Sequence, residues 1–217
     1  LRGAAARDGL DALNRIAGGT WDITAGAHIG AAAAARSTVG YIRDGGAAVT
    51  ALRLEGARTA VAERTAALRA ALASVAPGEE LHTHNSRAFW AEMADGRLLP
   101  PPTGSLSALW RLTLPPAAAA ATLDALAAQT GGEVLFDWAG GLAWLALGDG
   151  AATADAVRRA AAAAGGHAVL WRAADNLRAR IPVFAAEEPA RAALTRRIKA
   201  NFDPRGILNP GRMFEGV

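Results

Sequence analysis

The stretch from Ala108 to Arg172 constrains the fold more than any other part of the chain. Ala108, Trp110, Leu112 and Leu114 alternate with Arg111 and Thr113, the period of a strand with one buried face. Pro115-Pro116 then opens a helix that runs to about Gln129. Val134 to Trp138 reads as a second strand, Ala139-Gly140-Gly141 as a tight turn, and Leu142 to Leu147 as a third strand. The unbroken apolar run of that third strand predicts a central position in a sheet. Thr153 is the expected cap of a second helix, which Gly165-Gly166 closes, and His167 to Arg172 is a fourth strand. The order β-α-β-β-α-β is the split pattern that lays two helices on one face of an antiparallel sheet. The expected fold class is therefore α+β: a ferredoxin-like antiparallel sheet with helices on one face, and with Trp110 buried.

The flanks are less regular. Leu10 to Ala17 reads as a short amphipathic helix stopped by Gly18-Gly19, Trp21 to Ile29 as a strand, and the alanine- and glycine-rich stretch up to Gly46 as loop. Val49 to Glu55 predicts a strand, and with the one from Trp21 it is expected to extend the sheet. Ala57 to Ala73 carries Val61, Leu68 and Leu72 on one helical stripe, and Ser86 to Ala94 reads as a helix capped by Ser86. Leu98 to Ser107, with three consecutive prolines, reads as an extended connector. Ala173 to Ala186 is irregular. Pro189 opens a last helix whose Leu194, Ile198 and Phe202 repeat every four residues, and Pro204 ends it.

Composition removes several chemistries. The 217 residues contain no cysteine, which excludes disulfides, thiolate nucleophiles and Cys-ligated metals. The net charge of +3 is small and its cations are dispersed, unlike the basic stripe of a nucleic-acid binder. The most apolar window, Ile23 to Ala35, is short, is interrupted by His28 and predicts no membrane span. His82 and His84 could share one strand face, with Glu79 and Glu80 as further donors, but a solvated turn is the better reading of a two-histidine signal. His28 and His167 stand alone and read as structural, and Lys199, the sole lysine, sits on a charged helical face. No metal site and no complete acid–base set is expected. Six tryptophans accompany one tyrosine. Trp110, Trp138, Trp144 and Trp171 each fall on an expected strand. They read as core, with an aromatic wall facing a bound cofactor or a partner domain as the alternative.

The end of the chain is its most specific segment. Arg197 to Phe214 reads RIKANFDPRGILNPGRMF, and a helix followed by FDPRGILNPGRMF resembles the C-terminal signature of FAD-linked oxidases of the vanillyl-alcohol-oxidase type. LRLEGA at Leu52, FWAEM at Phe89, ALWRLTLPP at Ala108, FDWAGGLAWL at Phe136 and GGHAVLWRA at Gly165 are similar, in the same order, to blocks of the FAD-binding subunits of bacterial glycolate oxidases.

The resemblance implies an oxidoreductase flavoprotein whose N-terminal FAD-binding domain precedes a ferredoxin-like cap domain. It assigns residues 1–186 to the cap, with a core over 47–172, and residues 187–217 to a helix and tail that return toward the FAD domain. The FAD domain itself is expected to lie outside this chain, and Leu1 in place of a methionine agrees with that expectation. The implied cofactor is FAD, held by the full-length protein and not by this piece, which is expected to be inactive alone. Asn209, Pro210, Gly211 and Arg212 match the motif that in the family lies against the flavin domain. The implied function is the C-terminal cap of a glycolate-type 2-hydroxy-acid dehydrogenase or oxidase, covering the flavin and helping to form the substrate or subunit interface. An arginine could clamp the carboxylate of a small 2-hydroxy acid. The implied partners are the chain's own FAD domain, a second flavoprotein subunit and an iron–sulfur subunit, and the implied location is cytoplasmic, with membrane contact only through partners. The alternative is a non-catalytic assembly or regulatory domain of the same complex.

Overall fold

In the computed structural model, which describes residues 1–100 and 107–214, the first half of the chain supplies one edge of a sheet and much of its helical cover. Helix α1 (Ala6–Ala17) buries Leu10, Leu13 and Ile16 along one stripe. It begins one turn earlier than its apolar repeat, because Ala5 enters it from extended backbone without a side-chain cap. Strand β1 (Ala25–Ile29) follows, then two single-turn helices, α2 (Ala31–Ala34) and α3 (Gly40–Arg43), in the stretch expected to be loop. Four residues are too few to show a helical period, which is why the sequence hid them. Strand β2 (Val49–Arg53) leads to α4 (Arg58–Leu72) and α5 (Thr83–Asp95). Ser86 does not cap α5. The helix enters from His82, one turn before Ser86, and closes on Gly96 in the left-handed region that glycine tolerates.

The second half follows the rhythm read from the sequence: β3 (Ala108–Thr113), α6 (Pro116–Thr130), β4 (Glu133–Asp137), β5 (Leu142–Leu147), α7 (Gly150–Ala163) and β6 (His167–Ala173). A single turn, α8 (Asp175–Arg178), precedes α9 (Pro189–Phe202), which Glu188 caps by accepting from the Arg191 N–H. Thr153 lies inside α7 rather than at its start, and its hydroxyl donates back to the Asp149 carbonyl. Of the expected connector, Leu98 and Leu99 are buried, and 101–106 lie outside the described residues.

The strands form one six-stranded sheet in the order β2-β1-β4-β5-β3-β6, antiparallel at every pairing. The run β4-β5-β3-β6 is the split pattern expected from 108–172, with β5 central. β1 and β2 extend it through His28 opposite Phe136 and Ile29 opposite Leu135. Both crossover helices lie on the expected face. With α1 they cover Trp110, Leu112, Phe136, Leu145 and Leu170 in the main core. Trp110 has no exposed surface, so a side chain of roughly 200 Å² leaves water there. The other face is also covered, but only in part: Phe89 and Met93 of α5, with α2 and α3, pack on Ala27, Ile29, Leu109 and Leu135. α4 closes a third cluster through Leu68 and Leu72 against Ile16. No described helix is long and apolar enough to cross a membrane.

Candidate functional site

The partial cover of the second face leaves part of the sheet open around β3, the end of β5 and β6. Alternation places Arg111 and Thr113 of β3, Trp144 of β5 and Val169 and Trp171 of β6 on that side. Register sets Arg111 directly between Trp144 and Val169. Across neighbouring strands, Trp144, Arg111 and Val169 therefore span about 10 Å. A bulge between Leu109 and Trp110 shifts the β3–β6 register beside Trp171. Trp171 is 56% exposed and meets Trp144 edge to face, with centroids 5.4 Å apart.

Trp138 completes the face from the β4–β5 turn. Trp138 (φ 50°), Ala139 (φ 53°) and Gly140 (φ 96°) all turn left-handed, and only the third is the residue type that does so without strain. Packing explains why they hold it. Ala139 and Gly140 are buried, and a methyl on Gly140 would sit 3.4 Å from the Pro116 carbonyl and 3.5 Å from Leu10. The small residues thus tuck beneath α1 and α6 and leave Trp138 outside, 60% exposed. Asp137 fixes the turn by accepting from the Trp138 N–H at 2.8 Å, and burial pushes its carboxyl up. The guanidinium of Arg111 lies 5.5 Å from the Trp138 ring centre, within cation–π range. The four strand-region tryptophans thus divide. Trp110 is core and Trp144 packs, partly buried, on the second cluster, whereas Trp138 and Trp171 are exposed on the same face of the sheet. Arg111 went unrecognised in the sequence, because its place in the alternation says only that it faces away from Trp110.

The tail residues Asn209, Pro210, Gly211 and Arg212 are exposed and do not join this face. They form a turn in which the Arg212 N–H donates to the Asn209 carbonyl at 3.2 Å, with Asn209 (φ 48°) and Gly211 (φ 67°) left-handed. Asp203 ties the tail to α9: it accepts from Lys199 Nζ at 2.7 Å and from the N–H groups of Ile207 and Leu208 at 3.1 and 2.9 Å. The Lys199 ammonium and those N–H groups hold the Asp203 carboxyl at about 2. Lys199 also donates to the Leu208 carbonyl. The far end of the tail packs Phe214 on Phe184, and the adjoining Val183 carbonyl accepts from Leu170 of β6. Yet α9 buries none of its residues. Leu194, Ile198 and Phe202 are 54%, 50% and 85% exposed, continued by exposed Ile207, Leu208 and Met213.

The histidines do not converge. His82 is exposed, with Nδ1 3.4 Å from Glu80, and no group of three His, Asp or Glu side chains is placed to hold a metal among the described residues. His82, with Glu79 and Glu80, borders an open groove of about 740 Å³ between β2, α4 and α5, which Trp90 lines but Trp138, Trp144 and Trp171 do not. His28 is buried with Nδ1 2.8 Å from Thr50 Oγ1, and burial lowers its pKa to about 4. His167 is exposed at the start of β6.

Two comparisons with known proteins bear on these features. Residues 182–213, which hold α9 and the Asn209–Arg212 turn, match the family described as FAD linked oxidases, C-terminal domain. The chain is also 34% identical over 129 residues to the glycolate oxidase subunit GlcE of Escherichia coli (strain K12), covering 58% of this chain and 31% of that protein. The chain thus spans about a third of the length of the curated relative it matches. Both findings agree with the resemblance read from the sequence.

Proposed function

We propose that this chain is the cap of an FAD-linked 2-hydroxy-acid dehydrogenase and that its open tryptophan–arginine face closes over the flavin. The observation that carries the reading is the half-covered sheet. An exposed face with two tryptophans more than half accessible and an arginine between them marks a contact surface rather than a solvated one. Indole rings suit one side of a planar, electron-poor ring system. The face therefore fits a flavin ring, while the pyrophosphate and ribose of the cofactor would be held by the N-terminal domain that the resemblance implies.

In this reading the flavin, when bound, supplies the redox chemistry of removing two electrons from the hydroxyl-bearing carbon. The chain's own residues exclude water and position. Trp138, Trp144 and Trp171 exclude water once the face is covered, which strengthens any charge interaction made beneath them. The strained turn at Trp138 and Ala139 presets the Trp138 ring, so closure orders little further chain. The stripe Leu194–Ile198–Phe202 and the Asn209–Arg212 turn dock on the FAD-binding domain and fix the cap over it. The exposed α9 stripe also supports a second reading, in which it binds another subunit and the chain serves assembly. In that case Phe202→Ala dissociates the complex without exposing the flavin.

The test uses full-length protein loaded with FAD. Replacing Trp138 and Trp171 together by alanine is expected to raise iodide quenching of flavin fluorescence severalfold, with FAD content held near one per chain. Unchanged quenching with full FAD content would contradict the cap reading.

A further inference from the structure

We infer that Arg111 is the carboxylate anchor of this site, gripping a small 2-hydroxy acid through its guanidinium fork; the inference rests on the cap reading above.

Arg111 differs from the chain's other half-buried arginines. Arg36 is saturated by the Leu98 carbonyl and Glu133. Arg64 donates to Asp22 and to the Glu55 carbonyl, and Arg158 to the carbonyls of Pro182 and Phe184. Arg111 has no hydrogen-bond acceptor and no ion-pair partner among the described residues; its one neighbour of note is the Trp138 ring. Asp137, the carboxylate at the adjoining end of β4, bonds the Trp138 N–H instead. A guanidinium so placed keeps its five donors free while its charge is held by stacking, which is the condition for capturing an external anion.

The surroundings select the anion. Trp144 and Val169 flank Arg111 across the sheet, Trp138 lies beside its guanidinium, and Trp171 meets Trp144. A bulky or highly hydrated anion would lose its water against these rings. A carboxylate group is flat and matches the fork with two parallel bonds. Thr113, two residues along β3, lies on the same face as Arg111 and is half-buried.

The experiment is equilibrium dialysis of radiolabelled oxalate, a carboxylate that cannot be oxidised as a hydroxy acid, against FAD-loaded full-length protein. Arg111→Gln is expected to weaken oxalate binding about tenfold or more and to raise the KM for glycolate in parallel, while FAD content and the accessibility of the flavin to iodide stay unchanged. Arg111→Lys, which keeps the charge but loses the fork, is expected to fall between. Oxalate bound by Arg111→Gln within twofold of the unsubstituted protein would overturn the inference and leave the cap reading standing. A loss of FAD from Arg111→Lys would overturn it too, by making Arg111 a support of the cofactor. No oxalate or glycolate binding by the unsubstituted protein would overturn the substrate class. A rise in iodide quenching with unchanged oxalate affinity would assign Arg111 to flavin shielding alone.

Discussion

At the scale of single residues, the buried Trp110 indole N–H and Arg158 Nε have no hydrogen-bond partner among the described residues, whereas His28 has one and shows what burial costs. Its ring is enclosed between α1 and the sheet, against Thr50 and edge-on to Phe136 at 6.1 Å. Burial penalises the imidazolium, so the folded pKa of about 4 lies below the ordinary value of 6.5. The unfolded chain therefore binds the proton first. Stability from His28 is fully present above about pH 6.5 and is lost as pH falls toward 4, by about 3 kcal/mol over that window. Urea unfolding of the chain at several pH values checks this. The slope between pH 6.5 and 4 is expected to flatten in His28→Gln, while a slope equal to that of the unsubstituted chain would show that His28 is not its source. The sequence marked His28 as structural on its isolation alone. Arg111 was harder, because its meaning depends on which part of the sheet the helices leave bare, a long-range fact that no local period carries.

At the scale of elements, the chain was legible wherever local chemistry and tertiary packing agreed. The alternation of β3, the proline-opened α6 and the glycine-closed α7 each had a physical signal; β3 and α6 lie within a residue or two of their expected places, whereas α7 starts one turn before its expected cap. The caps were less legible. Ser86 and Thr153 have the right chemistry for caps, yet each sits one turn inside its helix, and the Thr153 hydroxyl bonds back to a preceding carbonyl instead. The junction after α7 shows how tight these connections are. Gly165 (φ 79°) turns left-handed, and the Gly166 N–H returns to the Ala161 carbonyl at 2.8 Å. A methyl on Gly166 would strike the Thr113 carbonyl oxygen and approach Leu114 Cα to 3.1 Å, both of them backbone. Gly166→Ala is expected to cost about 2–3 kcal/mol, a fall in Tm of roughly 4–10 °C for a chain of this size. Gly148→Ala, which meets nothing within 4 Å, is expected to leave Tm within about 2 °C. Equal losses at both sites would refute the packing argument.

At the scale of the whole molecule, two surfaces remain unsatisfied. One is the tryptophan–arginine part of the sheet. The other is α9, whose apolar stripe is turned outward although Asp203 holds its tail in an ordered turn. A helix with Phe202 at 85% exposure gains little from hydrophobic burial within this chain, so its periodicity serves another surface. The repeat Leu194–Ile198–Phe202 was plain in the sequence; that it faces outward was not, because periodicity reports a face and not its partner. The match of 182–213 to the FAD linked oxidase C-terminal domain falls on this second surface. In the proposed function α9 and its tail fasten the cap, and the open face meets the flavin. Tryptophan emission tests that claim most directly, since indoles beside a flavin transfer their excitation to it. In full-length protein, loading FAD is expected to quench the emission contributed by Trp138 and Trp171, so that replacing both by phenylalanine removes most of the FAD-dependent loss. If the double variant loses as much emission on FAD loading as the unsubstituted protein, the open face does not lie against the flavin.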